Sequence, residues 1–430
     1  MRNVLNKMSF DLYMLLVLGL TFFSYTGHIT AFYFPIIIII AIFGIIYNKG
    51  IMQIIALGLF SQMSFSGMRD NTNVTILYTC VLTTIILADI IKNRKLTKFG
   101  YLSLPILILS GLSLVTGING ISLYATMVGF FQIFSTFMLY IYFVNTLDDK
   151  DDLYIKMSKM FMYMGLLVTF EMIYYIYETE ELLIDVIRNR TITLGWENLN
   201  VIIFANIVSI PLMGYLVLKS KIKLPYMLFA LINVLGILMT LSRSSILSLA
   251  VYLVLLIPLI IYFEKDRMSL LIQGLIFLAF VSIGLYILES YDIISDYYSI
   301  LTDRDLTNYD DRLVLLQVAW EQFKMHPIIG SGGVFSSRYH IADAGYAAIN
   351  YHNTIAQVSA LGIFGLVGFI FLVIRKIKLM LLTKDSYKWF ILILLFVTAF
   401  INGSLQPMYF YTTYMIYLFM ILASIEVTET

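Results

Sequence analysis

The sequence predicts an all-α polytopic membrane protein, and three observations carry that reading. Sixty per cent of the 430 residues are hydrophobic and only 13% are charged, where a soluble chain carries roughly a quarter charged residues. The mean hydropathy is +0.88. Apolar runs of about 17–25 residues recur from end to end, each long enough to cross a ~30 Å hydrocarbon core. The runs are continuous, which excludes a β-barrel, because barrel strands alternate lipid-facing and lumen-facing residues.

Fourteen spans are expected, at 11–28, 31–47, 51–66, 74–91, 100–117, 121–145, 155–177, 201–218, 225–241, 245–263, 269–288, 353–374, 389–404 and 408–425. The third is diluted by Gln53, Ser61, Gln62 and Ser64, and the seventh carries Lys156, Lys159 and Glu171. Without these two the number is twelve; both are kept because losing either breaks the alternation of sides. The N-terminus has a basic start and an apolar stretch but no clear small-residue cleavage site, so it reads as a retained first helix. The single cysteine, Cys80, permits no intramolecular disulfide.

The charges orient the spans. With the N-terminus in the cytoplasm, 20 of the 28 Lys and Arg fall inside, among them Lys92, Arg94, Lys95 and Lys98, the cluster Lys219, Lys221 and Lys223, and Arg375, Lys376 and Lys378. The positive-inside rule then places both termini inside and the segment Glu289–His352 outside. The net charge of +1 says nothing about partners, and no feature points to nucleic acid.

Eight basic residues remain outside: Arg69, Arg188, Arg190, Arg243, Arg304, Arg312, Lys324 and Arg338. Seven are arginine, which grips phosphate and carboxylate in a bidentate fork. Surface ion pairing is the plain alternative for Arg69, Arg304 and Arg338. Arg243 stands apart, at a tight break between two spans in LMTLSRSSILSL, and an ionisable residue at the hydrocarbon edge is a functional candidate.

No repeat or low-complexity segment divides the chain, so one membrane domain, 1–430, carries two external elaborations. The shorter, 178–200, reads ETEELLIDVIRNRTITLGWENLN. It contains a helix candidate around Glu181–Arg188, and Trp196 is expected at the membrane interface. Asn198 and Asn200 are placed to cap the next helix or to bind sugar hydroxyls.

The longer, 289–352, is the only polar stretch long enough to hold a site. Leu313, Leu316, Trp320 and Phe323 fall at helical spacing, predicting an amphipathic helix from Arg312 to Phe323 whose apolar face lies on the membrane helices or at the interface. Arg312 falls in its first turn, where the dipole disfavours a cation, so a partner is expected, either Asp310 or a ligand phosphate. His326-Pro327 ends the helix, and Gly330–Gly333 is expected to form a flexible turn. His352 immediately precedes the twelfth span, with Asn353 and Thr354 as cap candidates. A helix N-terminus there would suit an anion and keep the histidine neutral. Ala360, Gly362, Gly365 and Gly368 then offer a stripe for close helix packing.

Four segments together resemble the O-antigen polymerase and ligase superfamily. They are the TLSRSS break with Arg243; DRLVLLQVAWEQFKMHPIIGSGG, opening with Arg312; YHNTIAQVSALGIFGLVG, opening with His352 and Asn353; and the looser RTITLGWENLN. They cover roughly residues 185–375.

The resemblance implies a GT-C-like multi-span glycosyltransferase fold acting outside the bacterial cytoplasmic membrane. It implies transfer of a glycan from an undecaprenyl-diphosphate-linked donor to an acceptor, without cofactor or metal. Carried over, Arg243, Arg312 and Arg190 would bind the diphosphate, and His352 would sit beside the anomeric centre or the acceptor hydroxyl. Asn200, Asn353, His326 and Arg338 would contact acceptor or glycan. Glu171 and Asp292 are alternatives for the base. A chain-length regulator and a flippase are the implied protein partners.

Polymerase is the first reading and ligase to a lipid A core the alternative; the motifs do not separate them. A flippase or permease is a third reading, disfavoured because charged residues gather at the outer face instead of deep in the spans.

Overall fold

The computed structural model describes residues 9–29, 36, 51–64, 72–93, 96–120, 122–147, 153–189, 191–196, 199–303, 310–346, 350–405 and 412–429. Every regular element among the described residues is helical. In chain order they are α1 (Phe10–Thr26), α2 (Ile51–Met63), α3 (Thr72–Asn93), α4 (Ser103–Val115) with a 3₁₀ turn at Thr116–Asn119, α5 (Leu123–Thr146) and α6 (Leu153–Thr179). Then follow α7 (Leu183–Asn189), α8 (Leu199–Ile202), α9 (Phe204–Lys219), α10 (Leu224–Met239), α11 (Arg243–Phe263), α12 (Arg267–Ser290) and α13 (Ile293–Asp303). The remainder are α14 (Asp310–Met325), α15 (Ser337–Asp343), α16 (Thr354–Ser359), α17 (Gly362–Leu382), α18 (Ser386–Leu405) and α19 (Thr412–Glu429).

The chain is an all-α membrane protein. Among the described residues, α5, α6, α11, α12 and Ser386–Ser404 of α18 are long and apolar enough to cross a bilayer, by length and composition. In α12 no residue is buried, and Leu271, Ile272, Leu275, Leu278, Phe280 and Ile283 are all exposed. Water would not tolerate so large an apolar surface, whereas lipid solvates it. The predicted span 31–47 lies outside the described residues, apart from Ile36. The predicted span 353–374 is not one helix: it breaks after α16 and restarts at Gly362, whose φ is +70°.

Two compact units divide the chain, 1–95 with 150–304 and 96–149 with 305–430. In the first, α6 is the core helix and packs on α1, α9 and α10. Small residues let these backbones approach: a methyl on Gly165 would strike the Asn233 side chain, and one on Gly236 would strike Thr169. Buried polar groups stitch the same contact. Asn206 Nδ2 donates to Thr169 Oγ1 (2.8 Å), and Ser209 Oγ donates to Asn233 Oδ1 (3.0 Å). Interhelical hydrogen bonds over small residues are a membrane-helix device, since lipid offers no hydrophobic drive for helix pairing.

In the second unit, α5 packs on α4 and α19, and α17 on α4. Glu426 of α19 accepts from the Tyr101 backbone N–H (2.8 Å) and from the Tyr140 hydroxyl. Gly368 of α17 brings that helix against Leu109 of α4.

Candidate functional site

The second unit builds its polar region on α14. Residues 312, 315 and 319 share one face of this helix, at i, i+3 and i+7. Leu315 and Ala319 form a buried cluster with Ile341, Tyr351 and Ala356. The half-buried Arg312 is therefore set on the face that packs against the residues flanking His352. This narrows the expected orientation. The protein-facing surface is Leu315 and Ala319, while Leu313 (60% exposed) and Trp320 (57%) point away from the described protein. Apolar residues occupy both faces of α14, and of the two expected positions for the Leu313–Trp320 face, packing on the membrane helices is not what the described residues show, which leaves the interface.

His352 is half-buried, with φ of +50°. A non-glycine residue held left-handed carries local strain. Its backbone N–H donates to Asn350 Oδ1 (2.9 Å), which helps hold that conformation. Asn353 caps α16, accepting from the Ala356 N–H (3.0 Å), as expected, and its amide donates to the Ser404 carbonyl (3.0 Å). The capped helix spans only Thr354–Ser359. A six-residue helix sums few peptide dipoles, so the expected strong anion site at the head of a full span is not built.

The GSGG segment is a buried, hydrogen-bonded turn. Gly330, Gly332 and Gly333 are buried with φ of +87°, +110° and +92°. A methyl on Gly330 would lie 2.2 Å from the Ala360 carbonyl oxygen, and one on Gly362 would lie 2.4 Å from that of Ile328. The Ser331 N–H donates to the Ala360 carbonyl (2.9 Å) and the Ile363 N–H to that of Pro327 (2.8 Å). Asn119 Nδ2 donates to the Gly330 carbonyl (2.9 Å). The glycines thus lock the turn into the break between α16 and α17.

His340 and Gln357 were not singled out from the sequence. His340 is buried, and its Nε2 lies 3.0 Å from the Ser331 carbonyl oxygen, so Nε2–H is the donor. Burial holds its pKa below the ordinary value, partly offset by that hydrogen bond. Gln357 is buried; its amide donates to Ser337 Oγ (2.8 Å) and to the Val334 carbonyl, while its oxygen accepts from the Tyr351 N–H (3.2 Å). It ties the glycine turn to the approach of His352. Its only signal in the sequence is an amide inside a predicted span. Burial also raises the pKa of the Tyr351 phenol.

The other expected residues are spread. His326 is half-buried at the end of α14 and its carbonyl accepts from the Gly330 N–H (3.0 Å); Arg338 is exposed on α15. Arg190 lies outside the described residues, as do Arg69 and Arg304. Asn200 is in α8, with its side chain outside the description.

In the first unit, Arg243 is the first residue of α11, after Leu241 at φ +47°. Leu241 packs with Ile187 of α7 and Ile300 of α13, joined by Leu183, Ile184 and Tyr297. The Tyr297 hydroxyl donates to the Leu238 carbonyl (2.9 Å). Two short helices therefore brace the α10–α11 break, and a half-buried guanidinium stands at the positive end of a 21-residue helix. That arrangement suits an anion.

Two expectations in this unit change. Trp196 is 2% exposed, so it is not an interface residue. Its indole N–H donates to Glu171 Oε2 (2.9 Å), and Glu171 is fully buried, which ties the alternative base into a structural contact. Among the described residues, no group of three or more His, Cys, Asp or Glu is placed to hold a metal.

Fold and composition thus define a polytopic helical membrane protein with polar elements at helix breaks. Residues 228–373, about a third of the chain, match the family model described as O-antigen ligase. This match supports the O-antigen polymerase and ligase superfamily, whose members are glycosyltransferase-like enzymes acting on lipid-linked glycans in a membrane. The match contains Arg243, Arg312, His326, Arg338, His352 and Asn353, and excludes Arg190 and Asn200. No curated protein matches the chain. The family and the apolar helices point to the inner membrane of a bacterium.

Proposed function

We propose that the protein is a surface-polysaccharide polymerase, joining undecaprenyl-diphosphate-linked repeat units at the outer face of the inner membrane. The observation that supports it most is the pairing, inside the family-matched segment, of a strained His352 with the α14 face that carries Arg312. In this reading the chain has fourteen spans, both termini are cytoplasmic, and 289–352 is extracytoplasmic.

The chemistry assigned to these residues is simple. The acceptor hydroxyl oxygen attacks the anomeric carbon as its bond to the lipid diphosphate breaks. His352 takes the hydroxyl proton, a contribution typically of ~10²–10⁴-fold. Arg312 stabilises the charge that builds on the departing diphosphate. In the first unit, Arg243 is assigned to a phosphate of the lipid carrier, with Arg190 as a further phosphate ligand. Asn200, His326 and Arg338 are assigned to glycan or acceptor. Asn353, with both ends of its amide used in capping and bridging, is assigned to positioning His352. A flippase would supply the donor, and a chain-length regulator would set product size.

A ligase reading has its own support, the ligase description of the matching family. Analysis of the lipid carriers in a deletion strain separates the two. A single repeat unit on carrier or core supports polymerase; full-length glycan stranded on undecaprenyl diphosphate supports ligase and overturns the proposal.

A further inference from the structure

A cleft of about 460 Å³ opens between α14 and the α15 turn, wholly within the second unit. It is lined by Val314, Gln317, Val318, Glu321 and Gln322 on one side, and by His340, Asp343, Ala344 and Tyr346 on the other. Its volume falls in the range of small-molecule sites, roughly 300–1,000 Å³. None of the residues assigned above to the reaction lines it.

The walls are held in place. Leu315, Ala319 and Ile341 pack α14 against α15. The Ala344, Gly345 and Tyr346 N–H groups donate to the carbonyls of His340, Ala342 and Ile341 at 3.1, 2.9 and 3.0 Å. Gly345 at φ +85° supplies the left-handed step that closes the turn. Tyr346 is thereby fixed at the rim, 44% exposed.

The lining is specific in its chemistry. Two carboxylates and two primary amides offer paired acceptors and donors, and a partly exposed phenol offers an aromatic face. No Lys or Arg is among the lining residues, and Lys324 pairs with Glu321 at 2.8 Å from the next turn of α14. With the Lys324 ammonium taken up by Glu321 and two carboxylates in the lining, such a wall favours hydroxyl groups over a phosphate. We propose that this cleft is a saccharide subsite, taking an uncharged or amino-sugar portion of the glycan away from its reducing end. The identity of the saccharide as the protein's own substrate rests on the function proposed above; the cleft's preference for hydroxylated over anionic ligands does not.

The test uses the full chain in nanodiscs. The probe is the lipid-free repeat-unit oligosaccharide released by mild acid from the strain's own lipid-linked precursors, with binding followed by saturation-transfer NMR and titration calorimetry. Glu321→Ala and Asp343→Ala, at exposed positions, are expected to weaken binding about tenfold or more, the scale of one lost charge-assisted hydrogen bond, and Gln317→Ala, also exposed, to weaken it by a smaller factor, the scale of a neutral one. Glu289→Ala, at an exposed position outside the cleft and without a role in the reaction, is expected to keep the wild-type affinity. Thermal unfolding of each variant, unchanged from wild type, establishes that the loss is local. Absence of binding to the wild-type protein overturns the subsite, as does equal binding by the three cleft variants. If the cleft variants lose the oligosaccharide while Arg312→Ala and His352→Ala still make full-length glycan, the subsite stands and the catalytic assignment falls.

Discussion

The indole N–H of Trp196 donates to Glu171 Oε2 over 2.9 Å, and both side chains are buried. A loop residue is thereby fastened to the central helix of its unit by one hydrogen bond in a low-dielectric setting. Removing the acceptor strands a buried donor, at a cost of about 1–3 kcal/mol. Glu171→Gln keeps an acceptor oxygen for the indole and Glu171→Leu does not, so stability should rank wild type, Gln, Leu. In the Trp196→Phe background the two Glu171 substitutions should differ less, because contacting residues are not additive. Thermal unfolding in detergent reads both comparisons; equal effects of Leu in the two backgrounds would deny the coupling.

Gly330 and Gly362 meet backbone to backbone. Alanine at either must enter a left-handed conformation and push a carbonyl oxygen now 2.2 or 2.4 Å from the added carbon. Each substitution should cost about 1–3 kcal/mol from the backbone conformation alone, with the collision in addition. Gly274→Ala and Gly284→Ala, where nothing lies within 4 Å of the added carbon, should leave the melting temperature unchanged or slightly raised. Yield and melting temperature of the four variants test the contrast.

His340 gives the second unit a pH dependence of known sign. In the unfolded chain it titrates near its ordinary value of 6.5, and burial sets the folded value lower. Between those two values the unfolded chain holds the proton and the native chain does not, so stability falls as pH falls. The contribution is complete above about 6.5 and is lost as pH drops through the folded value. His340→Gln, which keeps an N–H donor for the Ser331 carbonyl without titrating, should flatten the acid limb of a melting-temperature profile.

The outward face of α14 should touch lipid. Leu313, Leu316 and Trp320 are exposed there, and Met325 and Ile328 continue the apolar surface past its end. An in-plane helix buries such a face at the headgroup boundary. Brominated lipids should quench a larger share of tryptophan emission in the wild-type protein than in Trp320→Phe. An equal quenched share would place the helix in water.

Most helices were legible because an apolar run is a one-dimensional signal: α1, α5, α6 and α9–α12 lie within a few residues of the predicted spans. The break at Ala360–Gly362 was not, because both sides of it are apolar and Gly362 reads equally as a packing residue. Depth was hidden too. Trp196 has the composition of an interface residue, and its burial depends on Glu171, 25 positions earlier. Arg312, His352 and Asn353 stand out in the sequence as candidates because charge and capping chemistry mark them. His340 and Gln357 carry no such mark, and their roles come from contacts to backbone carbonyls that a side-chain pattern does not encode. Which face of α14 meets protein was not legible, because Leu313 and Leu316 are as apolar as Leu315.

The central claim is that Arg312 and His352 join lipid-linked repeat units. The most direct measurement incubates the purified protein in nanodiscs with the undecaprenyl-diphosphate-linked repeat unit and resolves product lengths on a gel. Wild type should build a ladder. His352→Asn, an isosteric-sized residue that tolerates the left-handed backbone, should fold normally and slow chain growth by ~10²–10⁴-fold. Arg312→Ala should slow it by ~10²–10³-fold. A wild-type ladder that both variants reproduce at full rate would contradict the account.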